Sequence, residues 1–506
     1  MKRQTILAIL LTISIGTQAQ TEIQSTSYNL VAQCAASRTL FYNYSDQGTQ
    51  MPKIRWGLDT AWRSANNILI GKAYLGADNI SIVRVPHMPT IALSNGGISG
   101  DQISILEERL GYVDLIGNPN IGIYMNCDAG DGVDSYYTKT TSSLFSKTQT
   151  VYSDNWVSLI KATATRIKNW GYPNIESIAP MNEPDLYVNK VPQHGHMKGH
   201  KEIIQKLRND TYFNGVKMSG GNTLNADSAL KYYNYIGTAL LDQGNTHQLA
   251  GTFDNFASFF STVASNGDEP IEDELHNVGD AMIGANYGLK AGIWWGTTYR
   301  ARSAFCRASD GTGYRLGYIE NRPAWTVASV YRNTQDNATQ AFVGSSERQA
   351  VASSFSFISK DREVYYNGFG PTREYYVDVP GGETGSYQNG QTNAECVIDI
   401  TYGEDVQPSA LNGEYIIVNK KSLKLLTVEN GSGDWAARVC QQPNNNVNYQ
   451  RWSVSPIAND IGDDFSYYSI RSVMTSFYLD DNEFSMANGG HIICYPGGRS
   501  EEHTSE

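Results

Sequence analysis

Three stretches of the chain carry residues able to move protons or hold charge. The first is Asn182-Glu183-Pro184, directly behind an apolar run that includes Ile175, Ile178 and Met181. Proline has no N–H for a sheet ladder, so Pro184 ends the strand and leaves Glu183 at its mouth. A carboxyl in that place either caps a turn or does acid–base chemistry. The second stretch is "PIEDELH" (270–276), with Glu272 and Glu274 on one strand parity. The third, "HGHMKGH", holds His194, His196 and His200, a cluster that zinc can use. No helical His-Glu-x-x-His spacing accompanies it, and after Pro192 it reads as a polar surface loop. Of the three, the glutamates offer the most definite chemistry. Hydrolysis of a glycosidic bond needs a proton for the leaving oxygen and a negative partner for an oxocarbenium-like centre, and two converging carboxyls serve both.

Convergence needs a scaffold. From residue 51 to 335, short apolar runs alternate with amphipathic stretches. The strand candidates are "KIRWGLD" (53–59), "ISIVRV" (80–85), "NIGIYMN" (120–126), "IESIAPMNE" (175–183), "GVKMSGG" (215–221), "LAGTFDNF" (249–256), "PIEDELH" (270–276) and "AGIWWG" (291–296). Between them lie helices such as 154–171, whose apolar positions 156, 159, 160, 163 and 167 keep helical spacing up to Gly171 as C-cap. The last helix is predicted over "RPAWTVASVYRN" (322–333). Eight such pairs fit a (β/α)8 barrel, which puts chemistry at the C-terminal ends of its strands. Glu183 then ends strand 4 and Glu274 ends strand 7, facing each other across the barrel. Long loops after strand 3 (127–153) and strand 4 (184–200) shape a cleft.

Residues 336–408 change texture. Alternating segments and Gly/Asn turns predict an all-β sandwich, to which "SYNLVAQ" (27–33), within the segment 20–50, adds a strand. A third β-rich unit occupies 409–498.

The 506 residues allow two to four domains. With 51 acidic against 39 basic residues and no basic runs, the net charge of −12 disfavours nucleic acid and anionic membranes as partners. The 32 Tyr and 9 Trp suit stacking on sugar rings as well as core packing. Lys2 and Arg3, an apolar run from Ile6 to Ile15, and Thr17-Gln18-Ala19 read as a secretory signal cleaved after Ala19, so export, to the periplasm or beyond, is expected. No later stretch is long and apolar enough to span a membrane. Six scattered cysteines form no metal spacing and no disulfide scaffold. No motif calls for a cofactor.

In the third unit "ARVCQQPNNN" (437–446) and "HIICYPGGR" (491–499) echo each other, and Gln450-Arg451-Trp452 supplies a Gln-x-Trp. This stretch resembles the ricin-type β-trefoil lectins. It covers one repeat and most of a second, so a partial trefoil is expected. Residues 499–506 resemble a translated sequencing adapter and read as a non-native tail.

Asn182-Glu183-Pro184 after strand 4 and a second glutamate ending strand 7 resemble the retaining glycoside hydrolases of clan A. Barrel followed by sandwich is similar to glycoside hydrolase families thirty, thirty-nine and seventy-nine. The resemblance implies Glu183 as acid/base and Glu274 as nucleophile. It implies Asn182 on the sugar 2-hydroxyl, Arg84 orienting the nucleophile, Trp294 or Trp295 flooring the −1 subsite, and Asp59 and Trp62 at the non-reducing end. Those families show His-x-Tyr at strand 6, where the predicted strand reads "TFDNFASFF"; Asn255 is the substitute on offer. Glu272 rivals Glu274 but, one pleat deeper, is expected inside the barrel. The expected activity is hydrolysis of a β-linked glycan by double displacement, with a lectin module holding the enzyme near its substrate. The alternatives are a glycan-binding protein on a degenerate barrel and a metal-dependent hydrolase using the three histidines. Both glutamates being in place favours the first.

Overall fold

The computed structural model describes residues 37–61, 64–129, 132–142, 146–188, 191–381, 394–403, 411–419, 421–456, 468–482 and 489–497. The signal segment, "SYNLVAQ", Cys34, Trp62 and the tail from 499 lie outside the described residues. None of the described helices is long and apolar enough to cross a membrane.

Eight parallel strands close a barrel: β1 (Arg55–Asp59), β2 (Ile80–His87), β3 (Gly122–Cys127), β4 (Ile175–Ala179), β5 (Lys217–Asn225), β6 (Gln243–Ala250), β7 (Glu269–Leu275) and β8 (Ala291–Trp294). Each is followed by a helix: α1 (Ala65–Leu75), α2 (Asp101–Ile116), α3 (Ser153–Trp170), α4 (Met197–Asn209), α5 (Ala226–Ile236), α6 (Phe253–Ser265), α7 (Val278–Tyr287) and α8 (Arg300–Ala308). Inward positions Ile82, Tyr124, Ala179, Ile271, Ala291 and Ile293 plug the barrel floor. Outward positions such as Val83, Val85, Ile123 and Met125 join the helices in one continuous core. In α3 the buried positions Trp156, Leu159, Ile160, Thr163 and Ile167 form one stripe. Gly171, at φ 133°, ends the helix by donating to the carbonyls of Ile167 and Lys168.

Two predicted elements differ. Strand 6 is Gln243–Ala250, not 249–256, and "FDNFASFF" opens α6 instead. Phe253, Phe256, Phe259, Phe260 and Val263 have helical spacing, and the Thr252 side chain caps the helix by accepting from the Asn255 N–H. The real strand reads Gln-Gly-Asn-Thr-His-Gln and is buried although polar, so no apolar run marked it. The stretch 322–333 is not the last helix. After a 3-10 turn at Arg322–Ala324 and Trp325 at φ 52°, Thr326–Asn333 is a strand. It is buried on both faces, which erases the alternation that marks a half-exposed strand.

The β-layer therefore begins at Tyr314 rather than 336. Tyr314–Asn321, Thr326–Asn333, Ala338–Ser345 and Glu395–Thr401 run antiparallel in one sheet, and Ser37–Tyr42, Ser353–Ser359 and Glu374–Val379 form a second. Ser37–Tyr42 pairs parallel with Ser353–Ser359, so the N-terminal segment contributes through these residues. This layer and the barrel form one compact unit, through Tyr402 apart from 367–369. Its attachment is close. A Cβ on Gly344 would stand 2.3 Å from the Gly279 nitrogen of α7, so only glycine lets the sheet approach. Asn277 Oδ1 accepts from the Ser345 N–H at 2.9 Å, and Glu395 accepts from Val278 N at 2.8 Å and Arg302 Nε at 2.6 Å.

The second unit contains residues 403–506 and is antiparallel, with the strand Ala437–Gln442 between Leu425–Val428 and Ile492–Tyr495. Trp452 is fully buried and donates its Nε1–H to the Leu426 carbonyl at 3.0 Å. Gln450 donates to the Pro443 carbonyl at 2.7 Å. The Gln-x-Trp motif thus pins neighbouring strands from inside.

Candidate active site

Glu183 follows β4 in the left-handed region, at φ 45°, a conformation that costs a non-glycine residue on the order of 1 kcal/mol. Its N–H donates at 2.8 Å to the carbonyl of Asn222, itself at φ 47°. The Asp185 carboxylate accepts from the Leu224 and Asn225 N–H groups at 2.7 and 3.0 Å. Two strained positions on neighbouring strands thus hold each other and aim Glu183 over the barrel mouth.

Across the mouth, Glu274 arrives by an irregularity. Glu272 pairs with Gly292 and Leu275 with Trp294, so β7 spends three steps where β8 spends two. The extra residue is a β-bulge, and it turns both Asp273 and Glu274 toward the mouth. Ile271 and Asp273 face inward, which leaves Glu272 on the outer face beside Asp280 of α7, not inside the barrel as its parity with Glu274 implied. Both Glu272 carboxyl oxygens are buried without a hydrogen-bond partner among the described residues, and burial pushes its pKa well up.

Arg84, wholly buried in the C-terminal half of β2, is the hub. Its Nη1 donates to Glu274 Oε2 at 2.7 Å and lies 3.5 Å from Asp59; its Nη2 donates to Asn182 Oδ1 at 3.2 Å. Asn126 Nδ2 also donates to Asn182 Oδ1, at 3.1 Å. With the oxygen held twice, the Asn182 amide nitrogen is left for the cleft. Asp273 accepts from Asn126 at 2.6 Å and Asn222 at 3.0 Å through Oδ2, while Oδ1 takes His247 Nε2 at 2.9 Å. His247, on β6, puts Nδ1 3.1 Å from Glu183 Oε1 and 3.7 Å from Glu274 Oε2.

The charges follow from these contacts. Burial alone disfavours an imidazolium at His247, but Glu274, Asp273 and Glu183 around it hold its pKa well above the ordinary value. Burial pushes the Glu274 carboxyl up, yet His247 and Arg84 overcome it and keep it well below the usual carboxylate range. Asp59 is raised to about 6 by burial, against the pull of Arg84. One oxygen each of Glu183 and Glu274 lies within 4.8 Å of the other. His247 Nδ1 falls within the same distance of both.

A cleft of about 530 Å³ opens over this cluster, its lining including Asn182, Glu183, Glu274, Leu249, Trp295 and Arg348. Of the two tryptophans, Trp295 lines the cleft. Trp294 is core, stacked on Trp56 and donating to Cys306 Sγ at 3.2 Å. Asp59 joins the cluster as a partner of Arg84 and of the Ala61 N–H, not as cleft wall. Asn255 is exposed on α6, donating to Asp227 at 2.7 Å, and takes no part. The strand-6 residues at the mouth are His247-Gln248-Leu249, with Leu249 standing where the resembled families have tyrosine.

The histidine run is not a surface loop. His194 and His200 are buried, and burial lowers their pKa values to about 3 and about 4. His194 accepts from the Asn182 N–H at 3.1 Å and His196 caps α4. Among the described residues the three do not converge as a ligand set.

Asp273, His247, Asn126 and Asn222 are not evident from the sequence. Asn222 and His247 sit in strands with several buried polar positions, Asn126 is a polar residue near the end of an otherwise mostly apolar strand, and simple alternation places Asp273 on the face opposite Glu274.

Residues 405–495 match the family model of the ricin-type beta-trefoil lectin domain-like proteins. No curated protein matches the chain in sequence. Its structural neighbours include glycoside hydrolases. A GH30 endoxylanase from Clostridium papyrosolvens C71 is 13% identical, with a TM-score of 0.45, covering 72% of this chain and 100% of its own. A family 30 subfamily 8 xylanase from Clostridium acetobutylicum is 11% identical, with a TM-score of 0.44 and the same coverage. An endo-1,4-beta-mannanase from Rhizomucor miehei is 12% identical, with a TM-score of 0.31, covering 50% of this chain and 90% of its own.

Proposed function

We propose that the chain is an exported retaining β-glycoside hydrolase acting on a β-linked poly- or oligosaccharide, tethered to glycan by its lectin unit. The observation that carries this reading is the approach of Glu183 and Glu274, an oxygen of each within 4.8 Å of the other. Retaining pairs stand about 5–5.5 Å apart and inverting pairs about 6.5–9.5 Å, the wider gap admitting a water.

In this reading Glu274 is the nucleophile. It is kept anionic by Arg84 and His247, and it attacks the anomeric carbon to form a glycosyl ester. Glu183 protonates the departing oxygen, with the hydrogen bond to His247 Nδ1 fixing its carboxyl over the mouth. Once the ester forms, Glu183 takes a proton from the water that releases the sugar. Asn182 directs its free amide N–H groups to the sugar 2-hydroxyl, and Trp295 floors the cleft. Export rests on the basic and apolar N-terminal run.

A panel of aryl β-glycosides and plant or algal polysaccharides identifies the substrate. A 2-fluoro analogue of the best glycoside should then add one sugar to the peptide holding Glu274. A label on Glu272, or none while hydrolysis proceeds, would remove Glu274 as nucleophile.

A further inference from the structure

The loop between the sheet strands Ala338–Ser345 and Ser353–Ser359 reaches the barrel mouth. Glu347 Oε2 lies 3.1 Å from His276 Nδ1, and His276 Nε2 lies 3.6 Å from Glu274 Oε1. The imidazole is buried, with the Trp295 ring 6.0 Å away and tilted at 36°. Glu274 thus has a basic group on each side, Oε2 hydrogen-bonded to Arg84 and Oε1 at ion-pair but not hydrogen-bond distance from His276. The loop is held in place by the attachment of the sheet to α7 and α8, and its next residue, Arg348, lines the cleft.

We propose that Glu347 is a positioning residue for the nucleophile: acting through His276, it holds a positive charge against the second oxygen of Glu274. This rests on Glu274 being the nucleophile, and it makes the β-layer part of the catalytic apparatus. The charged and titratable groups around His276 are Glu274 on β7, Glu347 and Arg348 on the loop, Asp280 on α7, and Arg302 on α8, whose Nη2 donates to the His276 carbonyl at 2.6 Å. Burial works against the imidazolium, but Glu274 and Glu347 outweigh it and raise the ring to about 8. Glu274 and Glu347 together keep the ring charged at neutral pH, so removing the Glu347 charge takes away one of its two anionic supports.

The test uses the full chain with 15N-histidine labelling. The His276 ring is followed by NMR against pH in wild type, Glu347→Gln and Glu347→Asp, alongside kcat/KM on an aryl β-glycoside. The wild-type ring should titrate near 8, fall toward 6.5 or below in Glu347→Gln, and recover in Glu347→Asp. The kcat/KM deficit of Glu347→Gln should be roughly three- to tenfold larger at pH 7.5 than at pH 5.5, where the ring is charged in both proteins. A purely structural defect would lower both equally. A wild-type midpoint at or below 6.5, or a Glu347→Gln deficit that does not change with pH, overturns the proposal. The ring titration reads the couple whether or not the protein turns over substrate, so failure of the hydrolase reading shows separately, as no activity with the titration intact.

Discussion

Asp273 and Glu274 are consecutive in the chain, yet both carboxylates reach the barrel mouth, because β7 carries one residue more than its partner strand. Asp273 braces His247 and is itself braced by Asn126 and Asn222, while Glu274 stands on Arg84. One bulge therefore yields both the reacting carboxylate of the proposed mechanism and the counter-charge that keeps its surroundings ordered.

Replacing Glu183 by Gln removes the proton donor and leaves the shape. We expect turnover to fall by a factor on the order of 10² to 10⁴ on glycosides with poor leaving groups, and by much less in the first step on activated aryl glycosides. Steady-state and burst kinetics on the two classes check this. Equal, small losses on both would take Glu183 out of the acid/base role.

Asp273→Asn should cost up to about 3–5 kcal/mol at pH 7, since it takes one anionic partner from each of the buried His247 and Arg84 charges. Burial would raise Asp273, but Arg84 and His247 hold it below the ordinary value of 3.8, so its stabilisation is present above that pH and lost as pH falls further. Denaturant unfolding should show the deficit full at pH 7 and shrinking below pH 3.8. A deficit that persists undiminished in acid would mean the loss is steric.

Barrel and candidate glutamates were legible in the sequence because strands such as β2 and β3 are apolar on both faces and Asn182-Glu183-Pro184 breaks a strand abruptly. β6 was not, because its buried face is made of Asn245, His247 and neighbours that satisfy one another by hydrogen bonds rather than by apolar burial. The bulge in β7 was equally hidden. Period-2 reasoning assumes an unbroken ladder, so it put Glu272 with Glu274 and turned Asp273 away. The strand Thr326–Asn333 passed for a helix because, buried on both faces, it lacks alternation.

Between β7 and α7, burial raises Asp280 to about 8 and holds Glu272 well above its ordinary range. Both are raised in the folded state, so the stability they confer as neutral acids is present at low pH and drains away above the ordinary carboxyl range, for Asp280 as pH rises through about 8. Glu272→Gln, which mimics the protonated form, should flatten the fall in unfolding free energy between pH 6 and pH 9. Parallel wild-type and variant slopes would show that Glu272 does not titrate there.

Deleting residues 409–506 removes nearly all of the second compact unit. Hydrolysis of a soluble aryl glycoside should persist within about twofold while retention on insoluble glycan drops, as expected when avidity rather than chemistry is lost. Loss of activity on the soluble substrate would tie the lectin unit to the reaction itself.

The most direct test of the double-displacement reading is the anomeric configuration of the first-formed product, followed by proton NMR before mutarotation. In the proposed double displacement the β anomer should appear first and the α anomer only as it equilibrates. An α-configured first product would mean single displacement, and Glu274 could then be no nucleophile and Glu183 no acid/base of a retaining enzyme.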